Sequence, residues 1–241
     1  MPLAGLIRSA LPLGLMLLIL TLQGCDHWPA DPRDSLTTAI ERGTLKVGVV
    51  ANPPWVKITD PEAPTGLESQ LITEFARELG MTVDWRTGGV EEQIEALKSF
   101  ELDLLIGGFT AANPWKAEVG NTFPYYTERV LIGSRGTPPS AIDGQTIAIL
   151  PDTNLAPQLR KHNAISEIRE TLADSPNPVA TAQWRLSGMG FASSSLELLK
   201  HKHVLLTPPG ENALLMELER FLFRNRDQQQ LATRLWQEAQ P

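Results

Sequence analysis

The side chains that could do chemistry stand where apolar runs break off. The run Leu104, Leu105, Ile106 ends in Gly107 and Gly108, and Thr110 and Trp115 follow in a loop. A short apolar run bounded by glycines fits a strand buried on both faces of a parallel sheet, and such sheets bind ligands just beyond the carboxyl ends of their strands. Residues 110–116 are therefore expected at a binding edge. Trp55 stands in the same relation to the run Leu45, Val47, Val49, Val50, because Pro53 and Pro54 stop the ladder and leave the indole on a loop. A hydroxyl and two indoles can hydrogen-bond, stack and attract a cation, but they cannot by themselves break a bond.

Groups that could catalyse are poorly arranged for it. His201 and His203 are one residue apart and would share a strand face, as metal ligands do, but no third ligand is evident and they read as solvated side chains. Ser193, Ser194 and Ser195 lack an elbow or a base, and Gly188 with Gly190 falls short of a dinucleotide fingerprint. No carboxylate pair has a recognisable spacing. No metal or cofactor is expected, and the chain reads as a binding protein with no enzymatic activity.

The elements that must position these residues alternate. Leu67, Leu71, Phe75 and Leu79 recur every fourth residue with Ile72 beside them, an amphipathic helix ended by Gly80; Met81, Val83 and Trp85 then alternate as a strand, and Ile94 and Leu97 mark a further helix. With a short helix at 35–42 capped by Ser35, this is a parallel α/β lobe. Residues 128–132 read as a crossover into a second lobe. There, 144–150 form a strand, and Pro157, confined to a first turn, fixes the next helix cap at Thr153 or Asn154. Thr153 beside helix-start amides suits an anion. A helix is expected over 179–186, a return strand over 203–206, and two closing helices, the first led by Glu211.

The beginning of the chain concerns location. Arg8 precedes the apolar run 11–22, right in length for an export signal and short for a membrane span. Leu22, Gln23, Gly24 and Cys25 look like the lipobox of bacterial lipoproteins, and Cys25, the only cysteine, is expected to carry lipid, with Asp26 resembling an inner-membrane retention residue. The expected division is a signal peptide at 1–24, a tether at 25–34, a discontinuous first lobe at 35–130 and 205–241, and a second lobe at 131–204. The formal charge of −7, about −8 once Arg8 is removed, argues against a nucleic-acid partner.

One succession is specific: Pro53, Pro54, Trp55; then Gly66, Leu67, Glu68; then Gly108 and Thr110; then Pro124, Tyr125, Tyr126. It resembles the first lobe of the family 3 periplasmic solute-binding proteins, which serve polar amino acid importers. The resemblance implies an α/β, two-lobed periplasmic binding protein type II fold, with parallel-type sheets and two hinge crossovers. It also implies a monomer that passes a small-molecule ligand to an inner-membrane ABC permease, with Trp55, Glu68, Thr110, Trp115, Thr153 and Tyr125 as ligand-binding residues. The departures matter. Trp115 stands where the family has an arginine for the ligand's carboxylate, Gln70 replaces an acid, Asp152 replaces a glycine, and no acid stands near 188–195 where the family has an aspartate. Two tryptophans, an acid and no arginine suit a cationic or aromatic solute better than a zwitterionic amino acid. The alternatives are a sensor or accessory lipoprotein acting on a membrane protein partner and, as a third, a dehydratase-like enzyme.

Overall fold

The computed structural model describes residues 31–151 and 153–240. The expected signal segment 1–24, Cys25, most of the tether and Asp152 lie outside the described residues.

The chain builds two five-stranded sheets. The first contains β1 (Thr44–Val49), β2 (Thr82–Thr87), β3 (Leu104–Ile106), β4 (Gly120–Asn121) and β10 (Leu206–Thr207), in the order β2-β1-β3-β10-β4. Strands β1, β2 and β3 are parallel, and β10 inserts antiparallel between β3 and β4. The second contains β5 (Tyr126–Ser134), β6 (Thr146–Ile149), β7 (Ile165–Ile168), β8 (Val179–Ala182) and β9 (Ala192–His203), in the order β7-β6-β8-β5-β9.

β3 is buried on both faces, as its composition requires. Leu104 and Ile106 enter the core that also holds α2 (Leu67–Glu78), while Leu105 points to the other face, against α3 (Val90–Lys98). On α2 the buried side chains Leu67, Leu71, Ile72 and Phe75 make one stripe, each worth roughly 1.5–3 kcal/mol of apolar burial. Two closing helices, α6 (Asn212–Arg224) and α7 (Gln228–Glu238), return to this core through Leu218, Phe221, Leu231 and Leu235. α7 is fastened to α2 by polar groups: Arg234 and Glu238 both bond the Gln70 side chain, and Arg234 reaches Glu74.

The chain crosses between sheets twice, from β4 to β5 and from β9 to β10. The crossovers pair with each other where Tyr126 faces His203. The loop after β3 is stitched to the same place: Ala111 N–H donates to the Lys202 carbonyl and Val204 N–H to that of Phe109. The binding edge expected at Thr110 is thus built into the floor of the crossover.

Four local expectations are corrected. Ser35 opens α1 (Ser35–Arg42), and the cap is Asp34; the Ser35 N–H is taken by the buried Glu211 carboxylate, reaching from the cap of α6. The helix containing Pro157, α4 (Ala156–Lys161), is capped at Leu155, and the Thr153 hydroxyl bonds the Leu150 carbonyl. The helix expected over 179–186 is a strand, β8, followed by α5 (Gln183–Gly188); β8 lies between β6 and β5 and all four of its residues are buried, so no amphipathic period marks it. Finally, the return strand expected over 203–206 is split: His203 ends the 12-residue β9, and β10 begins at Leu206.

Candidate functional site

The loop between β1 and α2 is held from both sides. Asn52 pairs with Val56 across a tight turn and donates its side-chain amide to the Gly107 carbonyl, while the Trp55 carbonyl accepts from Glu68 N–H. Gly66, at φ 107°, lets the backbone pass so close that a Cβ there would lie 2.5 Å from the Trp55 oxygen. Trp55 is therefore rigid, 5% exposed, with its ring stacked on His203 at 3.7 Å between centroids.

A cavity of about 380 Å³ opens against this loop. Pro53, Pro54 and Trp55 line one side, Glu128 and Val130 of β5 and His201 of β9 the crossover, and Thr153, Trp184 and Arg185 the side of the second sheet. Walls from both sheets around a crossover make it a cleft of the size and mixed lining that small solutes use.

Its ionisable groups are Glu128, Arg185 and His201. Glu128 Oε1 accepts the Trp184 indole N–H at 2.9 Å, and Oε2 lies 3.8 Å from His203 Nε2, too far for a hydrogen bond but close enough for attraction when the imidazole is charged. Burial pushes the Glu128 carboxyl up, but His203, the indole N–H and His201 more than offset it and hold it below the usual carboxylate range. The Arg185 guanidinium lies over the Trp184 ring at 4.7 Å and forms no ion pair or hydrogen bond among the described residues. Burial lowers its guanidinium from the ordinary value, partly countered by Glu128; it stays charged at neutral pH. The cleft thus offers a carboxylate and an unpartnered guanidinium to the same solute.

Of the six side chains expected to touch ligand, Trp55 and Thr153 line this cavity. Thr110 sits at the crossover, bridged to His203. Trp115 packs edge-on against Phe109 at 6.3 Å, on the core face that holds α3. Glu68 and Tyr125 are behind the cleft. Glu68, 0% exposed, accepts N–H from Gly107 at 2.8 Å and Gly108 at 2.9 Å, and the Tyr125 hydroxyl at 2.5 Å. These bonds make it a clamp between α2, the end of β3 and the entry to β5. His203, expected to be solvated, is 4% exposed, and neither ring nitrogen has a hydrogen-bond partner among the described residues.

Sequence reasoning missed Glu128, Arg185 and His201 as cleft residues. The acid was sought at 188–195, whereas the strand in this region, β8, closes on Ala182; Gln183 follows it, and Arg185 comes two residues later. A guanidinium thus reaches the cavity from the side of the second sheet.

Two α/β sheets joined by paired crossovers around a solute-sized cleft define the type II periplasmic binding fold. The sequence agrees: residues 45–235 match the bacterial extracellular solute-binding proteins, family 3, and the chain belongs to that family. Among curated relatives, the membrane-bound lytic murein transglycosylase F of Vibrio cholerae is 33% identical over 125 residues, 51% of this chain and 23% of that protein. The probable histidine-binding protein of Campylobacter jejuni is 31% identical over 88 residues, 36% of this chain and 34% of that protein. The matches thus span about a quarter to a third of these relatives. A solved substrate-binding protein of a polar amino acid ABC uptake transporter from Streptococcus thermophilus superposes with a TM-score of 0.70 at 16% identity, covering 84% of this chain and 89% of that one, and shows the same fold. Among the described residues no helix is long and apolar enough to cross a membrane.

Proposed function

We propose that this chain is a lipid-anchored periplasmic binding protein that takes an amino acid-like solute, bearing both a cationic and an anionic group, into the cleft and delivers it to an ABC importer. One observation carries the choice of solute: Glu128 and the unpartnered Arg185 line the same cavity. A purely cationic or aromatic ligand would leave the guanidinium half-buried with nothing to pair. Trp55 supplies an apolar wall and Thr153 a hydroxyl at the rim. The protein acts by binding, as a monomer, tethered through Cys25.

The test is calorimetry of the mature chain against a panel of amino acids, amines and betaines. Binding of an amino acid that Arg185→Ala abolishes supports the reading; binding only of amines, or affinity indifferent to Arg185, defeats it.

A second reading has an observation of its own. The transglycosylase relative aligns over 51% of this chain, so this type of lobe also occurs within a longer protein named for an enzyme. On that reading the chain senses a solute and acts on a membrane protein partner. Affinity capture from membranes separates the two: a permease supports delivery, a cell-wall enzyme or kinase supports sensing.

A further inference from the structure

Trp184 lines a second cavity as well. It has a volume of about 460 Å³ and lies between α5 and the C-terminal helix α7. Its chemistry differs from that of the cleft. No Asp, Glu, Lys, Arg or His lines it, although such charged residues, His apart, are 20% of the chain.

Its polar groups are neutral amides and hydroxyls. Gln228 is fixed in place: its Oε1 accepts the Thr127 N–H at 2.9 Å, and its Nε2 donates to the Tyr125 carbonyl at 2.9 Å and the Arg226 carbonyl at 3.0 Å. Gln183, Gln229 and Ser187 are exposed on the rim, with side chains that bond no other described residue. The remaining wall comes from the partly exposed Trp236, with the largely buried Trp184 and Tyr126 behind it. Trp236 is seated by Gly188, where a Cβ would lie 2.1 Å from the indole.

These features restrict the occupant. A charged ligand would find no counter-charge, and a wholly apolar one would strip water from the amides without replacing it. What satisfies both parts is a neutral molecule with C–H faces to lay on an indole and hydroxyl or amide groups around its edge. The geometry points to a second binding site here, for a neutral saccharide, separate from the solute cleft.

The experiment titrates the mature chain with tri-N-acetylchitotriose and with maltotriose at millimolar concentrations, followed by ligand-observed NMR and tryptophan fluorescence. The expected result is saturable binding of at least one sugar, weakened about tenfold by Gln229→Ala combined with Thr233→Val, and unchanged by Arg185→Ala in the cleft. Gln229 and Thr233 are exposed, and circular dichroism confirms that the paired variant stays folded. Three outcomes overturn the proposal: no saturable binding of either sugar, binding that the paired variant leaves intact, or binding that Arg185→Ala abolishes, which would place the sugar in the cleft.

Discussion

The indole N–H of Trp184 is bonded to Oε1 of Glu128 at 2.9 Å, and this bond ties α5 of the second sheet to the crossover strand on the cleft floor. It aims the carboxylate, leaving the Oε2 edge to His203 and the cavity. Glu128→Gln retains an oxygen that can accept from Trp184 while removing the charge. Loss of one charge-assisted bond, worth about 1.5–3 kcal/mol, is expected to weaken binding of an ammonium-bearing solute by about ten- to a hundredfold in calorimetry. Unchanged affinity would remove Glu128 from the site.

The Glu128 and Glu68 carboxyls should give opposite pH signatures. Glu128 is held below its ordinary value of 4.5. Its contribution to stability is therefore fully present above pH 4.5 and lost as pH falls through the lowered value. For Glu68, burial outweighs the Tyr125, Gly108 and Gly107 hydrogen bonds and raises the carboxyl from 4.5. Its contribution is fully present below pH 4.5 and lost as pH rises through the raised value. Urea unfolding from about pH 3 to 7 should show the stability gap between wild type and Glu128→Gln closing toward acid. The wild type should also lose ground against Glu68→Gln as pH rises. Parallel curves would refute both assignments.

The clamp around Glu68 predicts a separation of stability from binding. Tyr125→Phe removes the hydroxyl donor from a fully buried carboxyl and is expected to cost about 1–3 kcal/mol in urea unfolding. Glu68→Ala should cost more, because it also strands the Gly107 and Gly108 N–H groups. Tyr125 does not line the cleft, so Tyr125→Phe should leave solute affinity within about twofold, a change worth less than half a kcal/mol.

The fold could be read from the sequence where burial followed a period. α2 repeats every fourth residue, and Leu104, Leu105 and Ile106 are apolar because β3 has a core on each face. The cleft was harder to read for a physical reason. β8 is small and buried throughout, and it passes directly into α5 without a capping side chain, so strand and helix merged into one apparent helix and Arg185 was hidden inside it. His203 looked solvated because exposed Lys200 and Lys202 alternate with it; the pleat turns the lysines outward and the imidazole in beneath Trp55. Glu68 was conspicuous beside Gly66, but its partners lie 39 and 57 residues away, a separation that local patterning does not encode.

Gly188 and Trp236 give the most direct test of how the two halves are joined. A Cβ at 188 would stand 2.1 Å from one ring carbon and 2.5 Å from two others, so Gly188→Ala must displace the indole or α7 with it. An overpacked contact of this kind costs about 1–3 kcal/mol. Trp236→Ala alone should also destabilise, by removing a ring packed against the first core, but it leaves room for the new methyl. The double variant should therefore be more stable than the sum of the single losses predicts, by about 1 kcal/mol or more. Additive losses in a urea-unfolding cycle would mean that the helix absorbs the methyl elsewhere and that α5 and α7 are less tightly joined than the contact implies.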